Sequence, residues 1–205
     1  MLTDVLHRLV AIPRVYDLVQ NLAGAQQVRR RLSARIAQLG EARLILDLGG
    51  GTGMYCDLWP TQSTYICLDL DWIKLQGFVE KHPSGIPLLA DVTAIPVERD
   101  SVDMIICTAV SHHLPEALLQ RLVYASARVL KPAGTFVFLD AIYQPGLWAG
   151  RLLWKYDRGS HPHTAEKLHA IISTNYQIVH AERFSVYHEY LLCVGAKRVA
   201  QGCPS

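Results

Sequence analysis

The sequence predicts an α/β chain: a mostly parallel sheet with helices on both faces and an antiparallel strand near the C-terminal edge. Three observations carry this expectation. From Arg43 onward, short and almost wholly apolar runs alternate with stretches of helical periodicity, the pattern of strands buried on both faces. The last two extended segments, Tyr176 to Phe184 and Tyr187 to Ala196, have almost nothing between them, and only antiparallel neighbours can be joined so tightly. The 205 residues contain no internal repeat, low-complexity segment or dividing linker, so 1–205 is expected to be one domain.

Taken in order, residues 1–40 read as helical with one break at Pro13. Leu2, Val5, Leu6, Leu9 and Val10 recur at helical spacing, as do Val28, Leu32, Ile36 and Leu39, and Gly40 is the expected C-cap. Leu44-Ile45-Leu46 is the first strand. Four runs of the same kind follow: Tyr65 to Leu68, Ile86 to Leu89, Met104 to Cys107 and Thr135 to Leu139. Helices are expected directly after the glycines near position 50, over Trp72 to Glu80, and over Pro115 to Leu130 with Leu118, Leu119, Leu122, Val123 and Val129 on one side. Pro115 suits a first helical turn, and Lys131-Pro132-Ala133-Gly134 is expected to stop that helix.

Composition narrows the function. Apolar residues make up 50% and charged residues 19%, which excludes a disordered or collagen-like polymer. A net charge of +2 is too even to announce a nucleic-acid partner. No apolar run is long enough to span a bilayer, and the start lacks the layout of a secretory signal, so a cytoplasmic location is expected. The five cysteines are widely spaced and without a C-x-x-C, the usage of reduced, mostly buried thiols. Arg29, Arg30, Arg31 and Arg35 line one side of the second helical stretch. That face reads as solvated, as a site for an acidic substrate, or as a peripheral contact with an anionic membrane.

The informative segment is Asp47-Leu48-Gly49-Gly50-Gly51-Thr52-Gly53-Met54. A strand ends in a carboxylate, and glycines then fall at alternate positions, where they allow a sharp bend and close approach of a ligand. The dinucleotide pattern G-x-G-x-x-G fails at Met54, and Asp47 would repel a diphosphate. A cationic nucleoside suits the acid better. Asp69, 20 residues after Gly49, ends the second strand where a carboxylate can accept from both ribose hydroxyls of either kind of cofactor. Asp71 reads as a helix cap. Asp91 and Val92 follow the third strand, an acid and an apolar neighbour fit for an adenine amino group and ring, or an ordinary surface acid.

Together these stretches resemble the class I S-adenosylmethionine-dependent methyltransferases, especially the small-molecule group. The matching motifs are Ile45 to Gly53, Ile66 to Asp69, Ala90 to Pro96, Ser101 to Ile106 and Arg128 to Gly134, in the family's order and spacing. Ala133 departs from the glycine of many relatives, in a loop that supports the sheet. The resemblance implies a Rossmann-like three-layer sandwich on a seven-stranded sheet, and S-adenosyl-L-methionine as cofactor. It implies that Gly49, Gly51 and Gly53 line the methionine part, with Asp47 near its amino group and Asp69 on the ribose. It further implies Asp91 and Val92 at the adenine, and Cys107 and Thr108 at the methionine moiety through backbone atoms. Residues 1–40 would contribute to a lid, and 141–174 would form an insertion over the substrate.

For the acceptor, Ser111-His112-His113 directly follows the fourth strand. His112 and His113 are candidates for taking a proton or orienting a substrate, and equally for a structural role. Between the fifth and sixth strands, Tyr143, Trp148, Trp154 and Tyr156 could line an apolar pocket with Asp157, Arg158, His161 and His163 as polar handles, or simply pack an inserted helix. Adjacent histidines diverge and the His161/His163 pair lacks a third ligand, so no metal is expected. No Asn/Asp-Pro-Pro-aromatic segment, Pro-Cys nucleophile or added basic domain points to nucleic-acid methylation. The expected activity is methyl transfer to oxygen, nitrogen or carbon of a small or lipid-like acceptor. An NAD(P)-dependent oxidoreductase and a non-catalytic S-adenosylmethionine-binding protein are the alternatives.

Overall fold

The computed structural model describes residues 24–143, 161–186 and 188–198. Seven strands form one sheet: β1 (Leu44–Leu48), β2 (Thr64–Asp69), β3 (Ile86–Leu89), β4 (Val102–Thr108), β5 (Leu130–Ile142), β6 (Tyr176–Ser185) and β7 (Glu189–Lys197). Their spatial order is β3-β2-β1-β4-β5-β7-β6. The β3, β2, β1, β4 and β5 ladder is parallel, and β7 runs antiparallel between β5 and β6. The expected closing hairpin is present. The chain reverses its direction of travel across the sheet after β3, between β1 and β4, which places a crevice at the carboxyl ends of those two strands.

Alternation along each strand divides the core into two layers. Leu46, Leu48, Leu68, Ile105, Cys107, Phe136 and Phe138 face α3 (Glu116–Val129) and α4 (Ala165–Ile172). Ile45, Cys67, Met104, Ile106 and Val137 face α1 (Ala25–Ile36) and α2 (Trp72–Lys81). Sheet and two helical layers make the predicted three-layer sandwich. In the first layer Phe136 stacks on Tyr176 at 4.3 Å between centroids, and the Tyr176 hydroxyl meets Ser126 Oγ at 2.8 Å.

Asp71 caps α2, its side chain accepting from the Ile73 and Lys74 amides. Pro115 is the N-cap of α3, one position ahead of the expected first turn.

Several local expectations need correction. The glycine loop leads not into an α-helix but into turns and a single 3-10 turn, Cys56–Leu58. Trp59 adopts the extended conformation that suits a residue before proline, and Pro60 then leaves no length for a helix before β2. The C-cap of α1 is Ala37 rather than Gly40, because the last turn closes on Ser33 and Arg35. Helix α3 ends at Val129 with Leu130 as C-cap, just ahead of Lys131 to Gly134 as expected, but that segment is not a free loop. It is carried inside β5 as an irregularity, where Val102 pairs with Leu130 and Met104 with Thr135. Finally, β3 is apolar without being buried: it is the sheet's edge, with Ile86 46% and Leu89 55% exposed and Pro87 between them.

The arginine stripe of α1 is largely turned to partners within the chain. Arg29 bonds the Met54 carbonyl and, at 2.6 Å, Asp57. Arg31 lies 5.0 Å above the Phe184 ring, and Arg35 pairs with Gln38 and Glu182. Residues 1–23, the first part of the expected N-terminal lid segment 1–40, lie outside the described residues. No helix among the described residues is long and apolar enough to cross a membrane.

Phe136 is fully buried against Tyr176, so Phe136→Ala is expected to destabilise the protein by about 3–5 kcal/mol in urea unfolding.

Candidate functional site

The crevice is built from the turns that leave β1, β2, β4 and β5. After β1 the Gly49 and Gly50 amides both donate to the Leu68 carbonyl, at 2.7 and 3.1 Å, folding the chain back over β2. Gly49, Gly51 and Gly53 all have positive φ (70°, 57° and 76°), which explains the alternate spacing. Gly49 is also sterically fixed, since a Cβ there would stand 2.4 Å from Val110 Cγ2 in the turn after β4. Gly51 differs. A Cβ built on it would meet only Lys74 Cδ at 3.6 Å and Asp69 Oδ2 at 3.9 Å, so this is the open side of the bend.

Asp47 is fully buried under that bend, close enough that a Cβ on Gly50 would fall 2.4 Å from its Oδ2. Oδ2 accepts from the Tyr65 hydroxyl, while Oδ1 has no partner. Burial lifts the Asp47 carboxyl to about 7. The Tyr65 hydrogen bond opposes the rise and the neighbouring Asp69 charge adds to it. Asp69, at the end of β2, accepts from the Gly51 amide (2.9 Å) and the Asp71 amide (2.8 Å). One carboxylate therefore ties the glycine bend to the head of α2.

Asp91 is exposed and closes an Asx turn on the Thr93 amide at 2.7 Å, next to an Ala90 amide bonded to the Asp69 carbonyl. Val92 points the other way and is buried in the larger apolar layer. Cys107 is likewise buried there, its thiol pushed well up by burial, so only its backbone is at hand for a ligand. Thr108 ends β4, and Ala109 turns the chain with a left-handed φ of 54°. Leu70, 67% exposed beside Asp69, is an apolar surface at this edge to which its position after the strand-end acid gave a clue.

On the far side lies a second cluster. Asp140, buried at the carboxyl end of β5, accepts from Ser111 N (2.7 Å), Ser111 Oγ (2.6 Å) and its neighbour Ala141 N (2.8 Å). Its Oδ1 also lies 2.7 Å from His112 Nδ1. Burial works against ionisation, but the His112 charge and the hydrogen bonds from His112 and Ser111 win and hold the carboxyl below the ordinary range. The His113 ring lies 4.1 Å from that of His112. The segment 161–163 straps this loop: His161 N donates to the His112 carbonyl (2.9 Å) and His163 Nε2 contacts the Leu114 carbonyl (3.0 Å). Tyr143 N donates to the His163 carbonyl at 2.8 Å. Trp148, Trp154, Tyr156, Asp157 and Arg158 lie outside the described residues.

The structure gathers His112, His113, His161, His163 and Tyr143, which the sequence singles out as two separate groups, and adds Asp140, which sequence reasoning missed. Its signal was present, a third acid ending an apolar strand in Phe138-Leu139-Asp140, as Asp47 and Asp69 do.

An open α/β sheet with a glycine bend and strand-end acids at its switch point sets its crevice where folds of this architecture take ligands. Residues 46–138, a little under half of the chain, match the methyltransferase domain family. An uncharacterised methyltransferase-like protein of Schizosaccharomyces pombe is 30% identical over 98 residues, 47% of this chain. The match spans about a third of that relative, 37% of its length. Among solved structures, a SAM-dependent methyltransferase from Methanosarcina mazei superposes with a TM-score of 0.71 at 15% identity, covering 82% of this chain and 98% of the other. Geranyl diphosphate C-methyltransferase from Streptomyces coelicolor A3(2) superposes at 0.69 and 11% identity, covering 84% and 82%. At such identities the structural likeness speaks for the fold.

Asp140 contributes stability above its unfolded pKa that is lost as pH falls through its lower folded value. Asp140→Asn is therefore expected to unfold about 2–4 kcal/mol more easily at pH 7. Urea titrations repeated below pH 4 should show the gap to the parent protein closing.

Proposed function

We propose that the protein is an S-adenosylmethionine-dependent methyltransferase acting on oxygen, nitrogen or carbon of a small-molecule or lipid-like acceptor. The unmatched Oδ1 of buried Asp47, set under a bend of positive-φ glycines, carries the reading. A buried acceptor without a donor is costly, and a ligand ammonium at the bend relieves it. The residues fit the cofactor elsewhere too. Gly51 leaves open space beside Asp69, and Asp69, with two amides on its carboxylate, retains lone pairs for ribose hydroxyls. Asp91 and the exposed Leu70 stand at the adenine end. A diphosphate is poorly served: the bend is followed by a 3-10 turn, so it has no long helix N-terminus to offer an anion, and Asp47 and Asp69 would oppose one.

When bound, S-adenosylmethionine supplies a methyl group on a sulfonium, whose transfer leaves a neutral thioether. The chain's task is to hold the acceptor in line and keep water away. For an O–H or N–H acceptor it must also remove a proton. His112 is the residue for that step, its ring held in place at the carboxyl end of β4 by Asp140 at Nδ1. The adjacent buried carboxylate stabilises the imidazolium that forms. His113 and the 161–163 strap border the acceptor side. Masses and shapes of acceptors are left to residues of this rim.

Isothermal titration with S-adenosylhomocysteine and with NADH tests the reading. The first is expected to bind and the second not; binding of NADH alone would overturn it. Asp69→Ala should weaken S-adenosylhomocysteine binding about 10–100-fold, the loss of about 1–3 kcal/mol of charged hydrogen bonding.

A further inference from the structure

We infer that Asp47 is a proton-exchange site: its carboxyl is protonated while the glycine bend is empty and releases that proton when the ammonium group of the cofactor arrives. The inference rests on the cofactor reading above and adds a coupling that reading does not require.

The geometry supports a neutral carboxyl in the empty site. The Asp47 side chain has no solvent contact, and its one side-chain donor is the Tyr65 hydroxyl, leaving Oδ1 unmatched. An ionised carboxylate, an acceptor at both oxygens, is badly provided for there. Among the described residues, no cation is hydrogen-bonded to it. From β2 it faces Tyr65, Cys67 and, at the strand end, Asp69. From the turn after the bend come Tyr55 and Cys56, from β4 Cys107, and beyond Tyr55 the ring of Tyr190 on β7 and the carboxylate of Asp140. His82 borders Gly53. Two cations are in the neighbourhood. Arg29 on α1 is committed to Asp57 and the Met54 carbonyl, and Lys74 on α2 lies across the bend beside Asp69.

A carboxyl lifted to about 7 in such surroundings is divided between its two forms at neutral pH. An ammonium placed at the bend favours the ionised form, and by linkage the ionised form favours the ligand. The atoms balance simply. The O–H bond of Asp47 breaks, its proton leaves to buffer, and the carboxylate keeps the electron pair facing the ammonium.

Calorimetry of S-adenosylhomocysteine binding in buffers of different ionisation enthalpy reads the proton directly, without any acceptor. Between pH 6 and pH 8 affinity is expected to rise about tenfold, with nearly one proton released at the lower pH and almost none at the higher. Asp47→Asn keeps the bond from Tyr65 and should bind weakly, with affinity flat across the range and no proton released. Tyr65→Phe removes the hydrogen bond that lowers the Asp47 pKa, and should move the same transition to higher pH. Affinity independent of pH in the parent protein overturns the inference, as does a proton still released by Asp47→Asn, which would assign it to a histidine. Absence of binding at every pH would count against the cofactor reading itself.

Discussion

The structure depends on placing several acids along one edge of a parallel sheet. Parallel strands all deliver their carboxyl ends to the same side, so Asp47, Asp69 and Asp140 gather where water is scarce and like charges repel. Each is accommodated differently. Asp140 is saturated by donors and a histidine, and stays ionised. Asp69 is held by two backbone amides. Asp47 alone is left half satisfied. The unevenness separates a structural acid from one awaiting a ligand.

The two ends of the crevice are mechanically joined as well as chemically related. Val110, in the turn after β4, packs where a side chain on Gly49 would have been, so the glycine bend and the turn into Ser111-His112-His113 share one contact. That turn is in turn pinned by Asp140 from β5 and by the backbone of His161. Displacement of the Ser111-His112-His113 turn therefore reaches the glycine bend through packed atoms.

Much of this was legible in the residues. The strand runs, α2 and α3, the Asp71 cap and the closing hairpin follow from periodicity and short-range chemistry, which do not need the rest of the fold. Pro60 is a local signal that ends the 3-10 turn over Cys56 to Leu58, and the short length left to β2 sets the rest of that limit. Tertiary context decided the remainder. Lys131 to Gly134 bulge within β5, where the five steps from Leu130 to Thr135 match two of β4 from Val102 to Met104, a register that only the strand pairing reveals. Asp140 carries the same signature as Asp47 and Asp69, yet its partner His112 is 28 positions away in sequence, and only the adjacency of β4 and β5 brings them together.

The bare rim at β3 has a consequence for how the molecule behaves in company. An apolar strand with open backbone groups is a template on which another chain can polymerise. Here the template is four residues long and interrupted by Pro87, which has no N–H to offer a newcomer. Imino-acid chemistry thus guards against fibrous self-assembly where burial does not.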